Sequence, residues 1–310
     1  MRTKIFKTLD EQIYILKEKG LTINDYEKTK ELLFRENYFF ISGYRHLFMK
    51  ANKDKYFIEG TTFEELYATF CFDRYLRNIM FKHILIIENN IKSIISYQMS
   101  KKYGHKDKDY LNPQNFTQDT LRGRQVHDVL NKMRRQIRTN GLEHTATMHY
   151  INNYGYIPMW ILVKVLSFGM ISEFYNILKE EDKELISKFY KIDIESLSVY
   201  LSILSNFRKL CAHEEILYYN RTQKVIPDTR YHKILNIEIS DDEYIYGKND
   251  LFAVLIIMKQ MLTEEQFSDL RGELSYEIDK LDGKVDTVPL ISILNRIGFP
   301  ENWRDIEDID

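Results

Sequence analysis

Turn-forming residues are scarce in this chain, with only 12 Gly and 5 Pro among 310 residues. Architectures of many short strands need far more of them, so a mainly helical protein is expected. Cysteine is scarcer still: Cys71 and Cys211 lie 140 positions apart, and neither falls in a CxxC or other zinc-like spacing. That argues against a disulfide scaffold or a cysteine metal site and fits buried thiols in a reducing compartment. Excess charge is also missing. With a net charge of −2, no global field draws the chain to nucleic acid or an anionic membrane, so such binding must rest on a local patch. The nearest thing to a membrane span, LFAVLIIMKQML from Leu251 to Leu262, is short and interrupted by Lys259, which marks a buried helix. MRTKIFKTLDEQ contains no long apolar stretch, so no secretory signal is expected, and a soluble cytoplasmic protein without membrane attachment is.

Aromatic volume is what the chain has in quantity, with 22 Tyr and 18 Phe. Periodicity predicts a helix over 10–19 with Gly20 at its C-cap, and a second from Asn24 or Asp25 to about Asn37. Within YFFISGYRHLF, Gly43 marks a turn or a close contact, and 52–60 reads as a polar loop. Thr62 and Glu65 have capping-box spacing and open a run to Gly104 free of Gly and Pro, which predicts one very long helix or two with a kink. Arg77 and Glu88 stand in apolar surroundings there, where they could pair with each other or form ordinary internal ion pairs. Residues 105–115 read as loop and 144–158 as irregular. Further helices are expected over 121–140, 159–178, 182–190, 195–217, 251–281 and 288–297, with loop holding a small hairpin or extended pieces near 221–247. The expected organisation is an N-terminal helical segment (1–50), a helical core (51–235) with a basic insert around 121–140, and a C-terminal helical segment (236–310), packed as one unit.

The basic insert, LRGRQVHDVLNKMRRQIRTN, sets Arg122, Arg124, Lys132, Arg134, Arg135 and Arg138 against a single acid, Asp128. On a helix Lys132, Arg135 and Arg138 share a face. Such a face is either simply solvated or a contact surface for an RNA backbone.

The stretch NFRKLCAHEE, Asn206 to Glu215, carries the sharpest chemistry. At ~100° per residue, Leu197, Leu201, Leu204 and Cys211 form an apolar stripe with Arg208 in its middle. An arginine there is costly unless it is paired or opens onto a cleft or interface. Arginine and histidine together suit phosphodiester chemistry. Guanidinium matches phosphate oxygens in a bidentate fork, and imidazole, with a pKa near ~6.5, can take and give a proton. In RNA the ribose 2′-OH supplies the nucleophile, so neither a metal nor a cofactor is required. Residues five apart on an ideal helix point ~140° from each other, so one chain does not readily aim both side chains at one phosphate. A distorted helix or a two-fold partner would resolve this.

EQIYILKEKGL, NYFFISGYRHLF, FDRYLRNIM with IENNIKSIISYQMSKKYG, IPMWILVKVLSFG, NFRKLCAHEEILYYNR and GFPENW occur in that order along the chain. Through them it resembles, nearly end to end, the Abi-like abortive-infection proteins of bacteria (the AbiD/AbiF group), which carry a HEPN-type Arg-x4-6-His ribonuclease motif. The resemblance implies an all-α HEPN-type helical bundle with additional N- and C-terminal helices, metal-independent RNA cleavage leaving a 2′,3′-cyclic phosphate, and a homodimer. It implies toxin-like action in phage defence, held in check in some members by a small noncoding RNA. The catalytic positions map onto Arg208 and His213, and Asn220 and Arg221 match a recurrent Asn-Arg after the motif. Lys209 stands where such motifs often carry Asn, Asp or His, and it would add positive charge for RNA. Glu215 stands where members silenced by adenylylation carry Tyr, so the resemblance does not extend to that control.

Other chemistries fail on spacing. HEEIL begins like HExxH, but its fifth residue is Leu217. His144 and His149 read as surface or packing histidines, and the acidic stretches at 241–243 and 305–310 as solvated. Trp160 and Tyr150, Tyr154 and Tyr156 read as core and rim, or as base-stacking rings where RNA binds. The competing functions are a non-catalytic RNA-binding module and a protein-interaction module.

Overall fold

The computed structural model describes residues 5–50, 53–140 and 143–309. Three helices lead: α1 (Leu9–Glu18), α2 (Tyr26–Glu36) and α3 (Tyr38–Ser42). Thr8 and Glu11 form a capping box at α1, and Asp25 caps α2. Next comes a short antiparallel pair, β1 (Met49–Lys50) and β2 (Lys53–Phe57), where a polar loop was expected. Backbone pairing to β1 and burial of Phe57 hold the second strand in place.

The long run is a single helix, α4 (Phe63–Tyr103), of 41 residues, about 60 Å at helical rise. Thr62 and Glu65 cap it reciprocally, and Glu65 also accepts the backbone N–H groups of Asp286 and Thr287, tying the C-terminal segment to its start. The remaining helices are α5 (Asp107–Tyr110), α6 (Gly123–Asn140), α7 (Thr145–Tyr154), α8 (Met159–Val165), α9 (Phe168–Ile177), α10 (Glu180–Phe189), α11 (Ile194–Ala212), α12 (Arg230–Ile234), α13 (Leu251–Met261), α14 (Glu264–Asp282) and α15 (Leu290–Ile297). Between α12 and α13 lies a small hairpin, β3 (Ile239–Ser240) with β4 (Glu243–Tyr244), the first of the two forms expected for this loop. The fold is therefore all-α in class. α8, α11 and α14 pack along α4, α9 packs on α11, and the wholly buried stretch Leu251–Met258 of α13 fills the space between α4, α11 and α14.

Several expected boundaries shift for local reasons. Residues 159–178 form two helices, because Ser167 takes an extended conformation and caps α9 through Met170 N–H. Thr263 and Gln266 split 251–281 in the same way. Residues 145–154 are helical, ended by Gly155 in the left-handed region, where an irregular segment was expected. The helix expected over 195–217 stops at Ala212.

Asp250 caps α13, accepting from the N–H groups of Ala253 (2.9 Å) and Gly247, and it lies beside Gly298, whose φ is +102°. A Cβ at Gly298 would come within 2.3 Å of this carboxyl, so no side chain fits. Burial pushes the Asp250 carboxyl from 3.8 up to about 6, against the donors around it. The folded chain thus holds this proton more tightly than the unfolded chain does, and the group's contribution is lost as pH rises from about 4 to about 6. Asp250→Asn keeps an accepting oxygen for the cap and is expected to flatten the pH dependence of stability across that window by roughly 2–3 kcal/mol, measured by urea unfolding at stepped pH.

Candidate active site

Arg208 lies just before the last turn of α11, on the side facing α4. Phe81 and Glu88 are two helical turns apart on α4 and present one face. The guanidinium lies over the Phe81 ring at 5.4 Å, and its Nε donates to Glu88 Oε2 at 3.4 Å. Lys92, one turn further along, donates to Glu88 Oε1 at 2.6 Å. One carboxylate, 5% exposed, is thus shared by two cations, while the Arg208 side chain is 36% exposed. The two cations outnumber the one carboxylate, and the Arg208 side chain is partly exposed, an arrangement able to receive a phosphate oxygen. Arg77 does not pair with Glu88. The two are eleven residues apart on one helix, about 16 Å along its axis, and Arg77 pairs with Asp73 instead.

His213 is the C-cap of α11; its N–H donates to Lys209 O at 3.1 Å, and its ring is exposed. Glu214 adopts φ +56°, turning the chain sharply away. The helix is not distorted at the motif; it ends there. Among the described residues no hydrogen bond or ion pair joins the Arg208 and His213 side chains, and the imidazole has a free approach from solvent. Cys211 lies between them, but burial pushes its thiol up to about 12, so it stays protonated at neutral pH and is no nucleophile.

Beyond this turn the chain is fastened to α4 by a residue that the motif does not contain. Asp73 is fully buried. Its Oδ2 accepts from the Tyr44 hydroxyl (2.7 Å) and Leu217 N–H (3.1 Å), and its Oδ1 from Tyr218 N–H (2.9 Å). Arg77 pairs with the same carboxylate and reaches Glu215 O at 3.4 Å. Ile216 packs against Gly43 so closely that a Cβ there would come within 2.6 Å of it, the close contact expected of that glycine. The chain flanking His213 is therefore held by α4 on one side and by the α3 segment on the other.

The remaining candidates lie elsewhere. Lys209 is exposed on α11. The Arg221 guanidinium donates to the carbonyls of Asn220 and Arg296, both at 3.0 Å, joining this loop to the last turn of α15. On α6, Val126, Val129, Leu130 and Met133 are buried. Lys132 pairs with Glu173 at 2.8 Å, and Arg134 donates to Leu111 O at 3.0 Å. Arg124, Arg135 and Arg138 share the opposite, exposed face, and no ion pair or hydrogen bond engages them among the described residues. Reversing these three to Glu is expected to weaken binding of single-stranded RNA and to reduce the slope of log K against log salt by about 2, at ~0.7 per phosphate contact. An unchanged slope in filter binding would assign α6 to a solvated face.

Among the described residues, no group of three or more His, Cys, Asp or Glu side chains is arranged to hold a metal ion, and no helix is long and apolar enough to cross a membrane. No curated protein and no solved structure matches the chain. One family model does, over residues 31–219, a span that includes α4, the Arg208–Glu88 cluster, His213 and Asp73. By that match the chain belongs to the family described as Abi-like protein.

Proposed function

We propose that this chain is a metal-independent endoribonuclease of abortive infection, the phage-defence role to which the Abi-like family points. The observation that carries the reading is the pairing, at one end of α11, of a half-open guanidinium fixed by Glu88 with an exposed, chemically unoccupied imidazole five residues on. His213 removes the proton of a ribose 2′-OH or protonates the leaving 5′-oxygen. Arg208 stabilises the charge that builds on phosphorus, and Lys92 and Lys209 strengthen the local positive field. The product is a 2′,3′-cyclic phosphate. Asn220 and Arg221 support the site from the adjoining loop.

Because Arg208 turns toward α4 and His213 toward solvent, the complete site is composed across a homodimer, with motifs from both copies lining one cleft. An apolar face is available next to the motif. Phe34, Phe39 and Phe40 are exposed on α2 and α3, the segment that leads directly into Gly43 and its contact with Ile216. A noncoding RNA that restrains the protein would compete for the same cleft. Mixing the Arg208→Ala and His213→Ala proteins tests the composite site. Partial recovery of cleavage in the mixture, from dimers that unite the intact residues of both copies, is expected. A monomer by sizing at micromolar concentration with RNA present, or a mixture as inactive as its parts, would contradict it.

A further inference from the structure

α7 is an unusual helix for a folded chain, since Thr147 is its sole buried residue, the rings of His149 and Tyr154 are exposed, and Tyr150 packs only partly against the core. Those rings continue into a connected aromatic surface. Tyr150 and Tyr154 lie 5.3 Å apart, Tyr154 and Tyr156 6.3 Å, Tyr156 and His105 5.3 Å, and His105 stacks on Trp160 at 6.4 Å. Trp160, 43% exposed, then opens onto a cavity of about 550 Å³ shared with Tyr97 of α4. Cations lie over its rings, Lys101 over Tyr97 at 5.9 Å and Lys106 over Tyr156 at 5.6 Å. Ser100, which also lines the cavity, has a buried hydroxyl without a hydrogen-bond partner. The basic helix α6 packs against both α7 and α8.

We infer that the Trp160–His105–Tyr156–Tyr154 surface is a stacking platform for unpaired bases of a single-stranded RNA. Exposed rings alone suit many ligands, but rings flanked by lysines favour a polyanion with flat faces. Tyr97 lies nine residues beyond Glu88 on α4, about 14 Å along the axis and about half a turn around it, so a strand that reaches both the platform and Arg208 must pass around α4. The inference rests on the ribonuclease reading for its substrate, and the test separates the two.

The chain has two tryptophans, and Trp303 is fully buried, so quenching of the exposed Trp160 reports stacking directly. Titration with single-stranded oligoadenylate, as RNA and as DNA, is expected to quench Trp160 fluorescence, with quenching retained at high salt and absent with duplex RNA. Trp160→Ala and Tyr154→Ala should each weaken single-strand affinity about tenfold, and Trp160→Phe should restore it. Equal losses with RNA and DNA indicate stacking alone; a larger loss with RNA indicates that the 2′-OH is also read. Either result supports the platform. Binding by anisotropy without quenching, or full affinity in both alanine variants while cleavage continues, overturns the platform and leaves the ribonuclease reading intact. Quenching and variant losses in a wild-type protein that never cuts RNA support the platform and refute the ribonuclease. Failure to bind any single strand overturns both.

Discussion

Asp73→Ala is expected to cost about 3–5 kcal/mol of folding free energy, the largest stability loss of any single substitution near the motif. The carboxylate has no exposure and satisfies donors from three parts of the chain, Tyr44, Arg77 and the backbone at Leu217 and Tyr218. Burial pushes this carboxyl above its ordinary range, and Arg77 with the converging donors pulls the other way. Removing it leaves the Arg77 guanidinium buried and uncompensated, together with orphaned N–H groups. Asp73→Asn retains acceptor capacity and should cost less. Urea unfolding followed by circular dichroism measures both, and a loss below about 1 kcal/mol for alanine would show that the fastening is not structural. Cleavage by whatever fraction stays folded should also fall, since the same bonds hold the chain that leaves His213.

His213→Ala and Arg208→Ala carry the largest expected effects on activity. Loss of a positioned general base or acid lowers the rate by about 10²–10⁴-fold, and loss of a transition-state charge stabiliser by about 10²–10³-fold. Arg208→Lys should recover little, because an ammonium lacks the planar fork that meets two phosphate oxygens. Both alanine variants should nevertheless fold. His213 is exposed, and after removal of Arg208 the Glu88 carboxylate keeps its bond to Lys92. Single-turnover cleavage with matched thermal melts separates a chemical defect from a folding one. A variant within about threefold of wild type would remove that residue from the chemistry.

Much of the scaffold could be read in the sequence because its signals are local. Thr62 with Glu65, the unbroken run to Gly104, Asp25 as a cap and the apolar stretch at Leu251 each declare themselves within a few residues. Helix ends set by geometry rather than composition were less legible. The stop at His213 depends on Glu214 taking a left-handed conformation, and the break at Ser167 on an extended serine, with neither Gly nor Pro at the break. The motif was visible as Arg208 and His213, but its supports were not. Glu88 meets Arg208 across 120 positions and Asp73 meets Tyr218 across 145, separations to which periodicity is blind. A polar residue on the buried side of a long apolar helix was the available signal; it marked Arg77 and Glu88 without revealing their partners, and Asp73 was not singled out. The aromatics of α7 and Trp160 were visible, but the choice between rim and stacking surface was not. Their spacing is compatible with core, and only the fold shows that Tyr154 and Trp160 are exposed while Tyr150 and Tyr156 are partly buried.

The chemistry of the cut ends tests the ribonuclease proposal more directly than any affinity or stability measurement. Purified protein is incubated in EDTA with a defined single-stranded RNA, and the fragments are examined by mass spectrometry. The wild-type chain is expected to leave 2′,3′-cyclic phosphate and 5′-hydroxyl ends, and Arg208→Ala or His213→Ala to leave the RNA intact. No cleavage, 3′-hydroxyl and 5′-phosphate ends, or cutting that survives both substitutions would contradict it.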